Sequence, residues 1–325
     1  MVNLNHINTK IGVLDTSICS MNVGDFIIMD SCYKVISELF PNTQKVHFPT
    51  HERITRVGLK RQKEIELNFL CGTNCLNSSM FLHRQWNIGY LNSILMKPVV
   101  SLGVGWGNYQ NAPDLYTKIL LQKMFSNQHL LSVRDSYTED KFKLAGLKNV
   151  INTSCSTMWT LTPEHCQLIP QNKADDVVFT LTDYRKNKEF DLNLIKALKK
   201  AYNNLYFWAQ GSQDYNYFMS FNNEINDINV IPANLKSFDY LLDNHTSLDF
   251  IGTRLHAGIR ALQKGKRTTI ISVDNRAEEK KKDFNLNVIP RDWEISNYIE
   301  FFNNSYITNI KIPLENIGKW RAQFE

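Results

Sequence analysis

Apolar residues along the chain occur in short runs, which alternate with longer segments where they recur every three or four positions. In the first half, the short runs predict buried strands at residues 11–18, 45–48, 65–71, 98–104, 129–133 and 150–153. The longer segments predict helices at residues 26–40, 81–95 and 137–145. Because strands that alternate with helices pair side by side in one direction, this pattern predicts a parallel sheet with helices on both faces.

The alternation stops between residues 161 and 176, where prolines and polar residues replace it, and then starts again. The second half has predicted strands at residues 177–181, 204–209, 228–231, 248–251 and 268–273 and near Val288, with helices between them. The sequence therefore predicts an α/β protein of two Rossmann-like domains with parallel sheets, at residues 1–165 and 166–325, with a cleft between them. We leave open that the last predicted helix, at residues 313–324, crosses back onto the first domain.

The composition indicates a water-soluble globular protein, because charged residues make up 21% of the 325 residues and hydrophobic ones 43%. No apolar run approaches the roughly 20 residues that a membrane-spanning helix needs, and residues 1–10 lack the features of a signal peptide. These observations predict a cytoplasmic protein. The net charge of +5 is mild, so it fits small anionic substrates or loose attraction to an anionic membrane surface, and it gives no reason to expect nucleic acid.

The cysteines do not indicate a metal site. All six are widely spaced, and without an export signal they are expected to be reduced. Cys71 and Cys75 form a C-x-x-x-C pair, but the sequence supplies no second pair or nearby histidine to complete a zinc-binding set. We therefore predict that the protein holds no metal.

One turn in the second half of the chain brings together polar and ionisable residues that could bind a ligand or take part in catalysis. Gly252 breaks the strand predicted at residues 248–251, and Thr253, Arg254 and His256 follow where the next helix begins. Ligands of open parallel sheets bind beyond the carboxyl ends of the strands, and helix N-termini attract anions. The turn therefore predicts a site for a small anion, with an alternative in which Arg254 pairs with a structural carboxylate and His256 is an ordinary buried histidine.

The first predicted strand is followed by the tetrapeptide N-V-G-D, which contains Asn22, Gly24 and Asp25. A glycine between a strand and a helix allows a tight turn and a close approach of the backbone to a ligand. Asp25 is expected either to cap the helix or to take part in binding or proton transfer, and the sequence does not decide between the two.

Two further strand ends in the first half carry candidate residues. The glycine-rich loop G-V-G-W-G contains Gly105 and Trp106, and its spacing is not the dinucleotide-binding fingerprint. We expect a flexible loop that faces a cleft, with Trp106 lining it. The strand at residues 129–133 then places Arg134 and Asp135 at its end.

An ordered set of motifs resembles the polysaccharide pyruvyl transferase family. The motifs are NVGD at residues 22–25, SLGVGWG at 101–107, SVRD at 132–135, GTRLHAGIRAL at 252–262 and SVDNRAEEK at 272–280. The resemblance implies a two-domain fold like that of the glycosyltransferase-B enzymes. It also implies transfer of the enolpyruvyl group of phosphoenolpyruvate onto two hydroxyls of one sugar residue, giving a ketal, usually in a surface polysaccharide or its lipid-linked precursor.

The same resemblance implies roles for the candidate residues, with the acceptor on the N-terminal domain and the donor on the C-terminal one. Donor-binding residues are expected to be Arg254, His256, Arg134, Thr253 and Gly252. Residues near the cleft, on the acceptor side, are expected to be Asn22, Gly24, Gly105 and Trp106.

The residue chemistry fits this donor. Guanidinium groups bind phosphate and carboxylate, and phosphoenolpyruvate carries both. His256 is suited to act as a general acid or base, and either Asp25 or Asp135 is expected to take the proton of the attacking sugar hydroxyl. The expected reaction requires neither a metal nor another cofactor. The expected partners are phosphoenolpyruvate and a sugar acceptor. We leave open that the acceptor is lipid-linked and that the protein associates peripherally with the inner face of a membrane.

Two alternatives remain at the level of the sequence. The first is a nucleotide-sugar-dependent glycosyltransferase of the same two-domain fold, with Arg254 and either Lys264 or Arg267 binding a diphosphate. The second is a non-catalytic protein that binds carbohydrate or organises a biosynthetic complex.

Overall fold

The computed structural model describes residues 9–83 and 85–325. These residues form two compact units. The first comprises residues 9–20, Ile28–Trp159 and Ile312–Glu325, and the second comprises Met21–Ile27 and Thr160–Lys311. The signal-peptide prediction concerns residues 1–10, of which 1–8 lie outside the described residues. Within the described ranges, every helix is too short or too polar to span a lipid bilayer.

The described strands pair in parallel throughout, as the alternating pattern predicts. In the first unit they are β1 (Lys10–Asp15), β2 (Gln44–Pro49), β3 (Leu67–Cys71), β4 (Val99–Leu102), β5 (Leu131–Val133) and β6 (Val150–Asn152). In the second unit they are β7 (Asp176–Thr180), β8 (Leu205–Trp208), β9 (Asn229–Ile231), β10 (Leu248–Gly252), β11 (Thr268–Ile271) and β12 (Val288–Ile289).

Helices connect these strands. Up to the sixth strand they are α1 (Val23–Leu39), α2 (Arg56–Arg61), α3 (Tyr90–Leu95), α4 (Leu115–Met124) and α5 (Ser136–Leu144). Later in the chain they are α6 (Pro163–Gln167), α7 (Lys188–Ala201), α8 (Asp214–Met219), α9 (Leu235–Asn244), α10 (Leu255–Gln263), α11 (Asn275–Phe284), α12 (Ile295–Asn303) and α13 (Leu314–Ala322).

The first unit is built on a sheet with the order β2-β1-β3-β4, and β5 pairs with β6. A parallel bridge between Val104 and Val133 connects the end of β4 to β5. Successive residues of a strand point to opposite faces, so Val13 and Leu14 enter two different cores. Leu14 packs in the cluster that contains Trp86, whereas Val13 packs in the cluster that contains Trp320 of the C-terminal helix. Both faces of this sheet are therefore covered.

The second unit has the strand order β12-β11-β10-β7-β8-β9, which is the Rossmann order. The chain passes from β7 to β8 and β9 on one side and then returns to place β10 on the other side of β7. The loops after β7 and β10 consequently leave the sheet in opposite directions, and ligands bind in the crevice between such loops. The sheet itself thus marks the carboxyl ends of β7 and β10 as the position of a site.

The helix predicted at residues 81–95 is wrong over its first half, because only Tyr90–Leu95 is helical. Trp86 is buried in the first unit's core, and the N–H of Asn87 donates to the carbonyl of Thr50 at 2.7 Å. The N–H groups of Trp86 and Asn87 therefore bond to distant parts of the chain, at Cys75 and Thr50, instead of to the preceding helical turn. The sequence pattern also missed α4, which begins where the side chain of Asp114 accepts the N–H of Thr117.

Candidate functional site

The candidate site lies at the carboxyl ends of β7 and β10 in the second unit. β10 ends at Gly252, and a Cβ atom there would overlap the side chain of Thr180 in β7. Glycine therefore lets the two strands approach closely just before they diverge. The chain then turns through Thr253 and enters α10, so that the side chains of this turn stand at the switch point of the sheet.

Arg254 occupies the first position before α10 and is almost completely buried. Its Nε donates to Oδ2 of Asp214 at 2.8 Å, and its Nη2 donates to Oδ1 of Asp183 at 2.9 Å and to Oδ1 of Asp214. A Cβ atom on Gly211 would overlap Nη2, so this glycine provides the space for the guanidinium. The alternative in which Arg254 pairs with structural carboxylates is therefore present in the fold, since Asp183 and Asp214 hold Nε and Nη2 of its guanidinium.

Asp214 is the main anchor of that guanidinium. Besides Arg254, its carboxylate accepts the backbone N–H groups of Gly211 at 2.7 Å and of Asp183 at 3.1 Å. Burial raises the pKa of the Asp214 carboxyl, and the charge and hydrogen bonds of Arg254 oppose that rise. The side-chain position of Arg254 is therefore fixed by a network that the sequence alone does not reveal, since Asp214 lies 40 residues earlier.

Thr253 contributes to the turn from inside the fold. Its Oγ1 lies 2.8 Å from Oγ1 of Thr182, and its N–H donates to the carbonyl of Thr180 at 3.2 Å. The side chain is buried, so its hydroxyl stabilises the loops that follow β7 and β10.

Gln210 connects the two motifs that the sequence singled out in different halves of the chain. Its Oε1 accepts the N–H of Ala257 in the first turn of α10 at 3.2 Å, next to the buried His256. Its Nε2 donates to Oδ1 of Asn22 at 2.8 Å. Sequence reasoning did not identify Gln210, although its place two residues after β8 and directly before Gly211 is a strand-end signal of the same kind.

The N-V-G-D segment belongs to the second unit and forms the start of α1. Asn22 Oδ1 also accepts the N–H of Gly24 at 3.1 Å, which satisfies one of the helix's first donors. Asp25 lies in the first turn and is buried. The N-termini of α1 and α10 are thus joined through Gln210, and the partial positive charge of each helix end favours an anion there.

Gly24 provides a direct test of this connection. A Cβ atom at this position would lie 2.6 Å from Nε2 of Gln210, so Gly24→Ala is expected to displace that side chain and to cost about 1–3 kcal/mol of unfolding free energy. The matched control is Gly318→Ala in α13, where nothing lies within 4 Å of the added carbon and a gain of about 0.5–1 kcal/mol is expected. Urea unfolding of both variants measures the difference, and equal effects would contradict the proposed contact.

Tyr184 lies between two arginines at the edge of the site. The guanidinium carbon of Arg254 is 4.9 Å from the centre of its ring, and that of Arg276 is 5.8 Å away. The hydroxyl of Tyr184 donates to Oδ2 of Asp274 at 3.1 Å and accepts from Arg276. Arg276 and Asp274 belong to the S-V-D-N-R segment, for which the sequence analysis predicted no role. Burial raises the pKa of Tyr184, so its hydroxyl stays protonated at neutral pH.

Asp274 gives this cluster a defined pH dependence. Although burial opposes its ionisation, the charge and hydrogen bonds of Arg276 lower the pKa of Asp274 to about 2. The unfolded chain takes up this proton near pH 4, so the stabilisation is complete above about pH 4 and is lost as the pH falls toward 2. On acidification from about pH 5 toward pH 2, we expect the unfolding free energy of Asp274→Asn to fall by about 2 kcal/mol less than that of the unchanged protein. Urea unfolding at several pH values measures this, and parallel curves would refute it.

The remaining candidate residues belong to the first unit, where each has a partner. Arg134 Nε donates to Oδ2 of Asp135 at 2.9 Å, and its Nη2 donates to the carbonyl of Trp106 at 3.1 Å. Asp135 caps α5 by accepting the N–H of Thr138. Gly105 leaves the space that the guanidinium of Arg134 occupies. Trp106 itself is a core side chain, fully buried, and donates from its indole nitrogen to Gln110 at 2.9 Å.

Two features of the site bear on the alternatives raised by the sequence. Lys264 follows the last turn of α10, about 15 Å along the helix from Arg254, and Arg267 pairs with Asp249 at 2.6 Å. Neither residue therefore joins Arg254 in a diphosphate site. Within residues 9–83 and 85–325, the structure places no group of three or more metal-ligating side chains together.

Comparison with known proteins gives a family. A family model described as polysaccharide pyruvyl transferase matches residues 22–275, well over half of the chain. The matched range contains the N-V-G-D segment, Gln210 and the turn with Arg254 and His256. A search of curated proteins found no significant match.

Several solved structures have a similar fold. The UDP-GlcNAc 2-epimerase of Methanocaldococcus jannaschii, in complex with UDP-GlcNAc and UDP, has a TM-score of 0.56 at 12% identity, covering 97% of this chain and 98% of that one. The UDP-GlcNAc 2-epimerase of Neisseria meningitidis gives 0.54 at 11%, covering 98% and 94%. MnaA of S. aureus, in its structure with UDP, gives 0.53 at 10%, covering 90% and 87%. At such identities the likeness shows the fold alone, which is glycosyltransferase-B-like.

Proposed function

The chain belongs to the polysaccharide pyruvyl transferase family and is therefore a transferase, and from this premise we propose its reaction. The enolpyruvyl group of phosphoenolpyruvate is transferred to two hydroxyls of one sugar residue, in a surface polysaccharide or its lipid-linked precursor. The observation that carries the proposal is the joining of two helix N-termini through Gln210, beside Arg254 and His256, at the switch point of the second unit's sheet.

The donor matches this arrangement in charge. Phosphoenolpyruvate carries a phosphate and a carboxylate, and the partial positive charge at a helix N-terminus attracts such groups. In the proposed complex, Arg254 offers its Nη1 group, because Asp214 and Asp183 hold the opposite edge of the guanidinium. Carboxylates that fix a cation in place also pre-organise it, so less side-chain entropy is lost when the donor binds.

The proposed chemistry begins with proton delivery to the methylene carbon of phosphoenolpyruvate, which becomes a methyl group. One sugar hydroxyl attacks C2 and loses its proton to a base. The bond from C2 to the phosphate oxygen then breaks and phosphate leaves. The second hydroxyl attacks C2 and closes the ketal, and its proton leaves on the released phosphate. His256 is proposed to bind the phosphate and to supply or remove a proton, and Asp25 or Asp135 is proposed as the base. The sequence of steps requires neither a metal nor a nucleotide.

The test is incubation of the whole protein with phosphoenolpyruvate and a panel of synthetic glycosides, some carrying a lipid-like aglycone. Phosphate release that depends on a glycoside, together with a product that yields pyruvate after mild acid, is the expected result. Because the structural neighbours from M. jannaschii and S. aureus hold UDP or a UDP-sugar, sugar nucleotides form the competing arm. Turnover with a sugar nucleotide alone would overturn the proposal, as would sugar binding without any turnover.

A further inference from the structure

Helix α3 exposes large apolar side chains on a short helix. Leu91, Ile94 and Leu95 expose 73%, 59% and 52% of their surface, and Tyr90 is also exposed. Every residue of this helix is at least partly accessible to solvent. The helix therefore lacks the buried apolar face by which a surface helix normally packs on the core. Single exposed apolar residues are normal, but a group of them on one element marks an interaction surface.

Neighbouring elements extend this apolar region. Phe81 and Leu82, in the loop before α3, are exposed, and so are Leu115 and Ile119 on α4. The ring of Phe81 lies 5.4 Å from that of Tyr116 on α4. We call this region the α3–α4 surface, defined by Phe81, Leu82, Tyr90, Leu91, Ile94, Leu95, Leu115 and Ile119.

A strongly basic segment borders the α3–α4 surface. Residues 53–63 contain five arginines and lysines and no acidic residue, and all five basic side chains are exposed. They are Arg53, Arg56, Lys60, Arg61 and Lys63. This segment contacts the end of α3, because the N–H of Lys97 donates to Oε1 of Gln62 at 3.3 Å. On the other side, Nζ of Lys123 lies 5.4 Å from the ring centre of Tyr90.

The basic segment and the apolar surface face the same way. Ile54 before α2, Met96 after α3 and Leu120 of α4 pack into one core cluster, which lies on one face of the first unit's sheet. The outward sides of α2, α3 and α4 are therefore turned to the same side of this unit. An apolar centre with a basic border is the pattern by which proteins bind the surface of an anionic membrane.

We propose that the α3–α4 surface docks on an anionic lipid bilayer, with its apolar side chains in the headgroup region and the 53–63 segment against the lipid phosphates. A second copy of this chain fits less well, because the surface has positive charge on both sides, at the 53–63 segment and at Lys123, so a two-fold contact would place like charges against each other at its rim. The apolar centre likewise does not suit nucleic acid, whose binding surfaces are polar and charged. This docking does not depend on the proposed transfer reaction.

The experiment is co-sedimentation of the full chain with two kinds of vesicle, one of phosphatidylcholine alone and one of equal parts phosphatidylcholine and phosphatidylglycerol. We expect binding to the anionic vesicles that weakens with salt. Lys60→Gln/Arg61→Gln removes two charges and should weaken it about 25-fold, at about fivefold per charge. Leu91→Asn/Ile94→Asn should weaken it at least about tenfold.

Matched controls come from exposed residues of the second unit. Lys281→Gln/Lys282→Gln removes two adjacent exposed charges, and Leu168→Asn/Tyr240→Asn removes two exposed apolar side chains. Both should bind like the unchanged protein, and all four variants should keep its melting temperature. The proposal fails if the unchanged protein does not sediment with anionic vesicles, or if the α3–α4 variants bind as the controls do. It fails equally if light scattering shows a dimer that Leu91→Asn/Ile94→Asn dissociates while vesicle binding is absent.

Discussion

Replacing His256 with alanine is expected to lower kcat for glycoside-dependent phosphate release from phosphoenolpyruvate by about 10²- to 10⁴-fold, the usual contribution of a general acid or base. The side chain lies in the first turn of α10, beside the Ala257 N–H that Gln210 holds. The loss should appear in kcat at saturating donor, because the proposed proton transfer occurs in the transition state.

The control for His256→Ala is His245→Asn. Nε2 of His245 lies 3.0 Å from Oδ2 of Asp176, the first residue of β7. His245 therefore lies at the amino-terminal end of the strands, whereas His256 follows their carboxyl-terminal end. We expect this variant to lose thermal stability and to keep kcat. If both variants lost kcat alike, His256 would have no special part in the reaction. If His256→Ala kept full turnover, the proposed proton transfer would be wrong.

Arg267→Met is expected to lower the free energy of unfolding by about 3–5 kcal/mol, the cost of leaving one charge of a buried pair uncompensated. Arg267 is only 2% exposed. Its Nη1 donates to Oδ2 of Asp249 at 2.6 Å, and its Nη2 donates to the carbonyls of Phe302 and Asn304 at 3.1 and 2.8 Å. The variant would leave the buried Asp249 carboxylate and two carbonyls with fewer donors. Urea unfolding measures the change.

Lys264→Met is the matched control for Arg267→Met. Lys264 pairs with Asp243 at 2.7 Å, but both side chains contact solvent, and exposed pairs of this kind contribute about 0–1 kcal/mol. Lys264→Met and Arg267→Met each remove one positive charge from the connection between α10 and β11. A similar loss of stability in both would show that net charge, and not burial, controls the effect.

The alternation of apolar runs was sufficient to predict the class of fold and its parallel sheets, because each buried strand carries its own signal in consecutive residues. The turn at Gly252 and Arg254 could also be placed at a strand end for this reason. What the sequence could not supply were contacts between distant segments. Asp183 and Asp214 hold Arg254 across 71 and 40 residues, and neither carries a mark that distinguishes it from a surface aspartate.

The direction of a side chain after a strand was also beyond the sequence. Trp106 follows a glycine and was expected to line a cleft, whereas it is fully buried in the core against Phe142. A tryptophan after a strand can line a cleft or pack in the core, and the neighbouring residues look the same in both cases. Here the packing of Trp106 against α5 places it in the core. The helix predicted at residues 81–95 was wrong over its first half for a similar reason. Trp86 is buried in the core there, and only Tyr90–Leu95 is helical.

The assignment of Met21–Ile27 to the second unit limits how the protein can be divided for experiments. A fragment of residues 160–311 would contain the Rossmann sheet and the turn at Arg254, but not Asn22, which receives the Gln210 side chain, or Val23, whose N–H donates to the Gln210 carbonyl. Removal of all residues up to Trp159 would therefore leave an incomplete domain. A productive dissection has to retain the N-terminal peptide, for instance by fusing it to the fragment through a flexible linker.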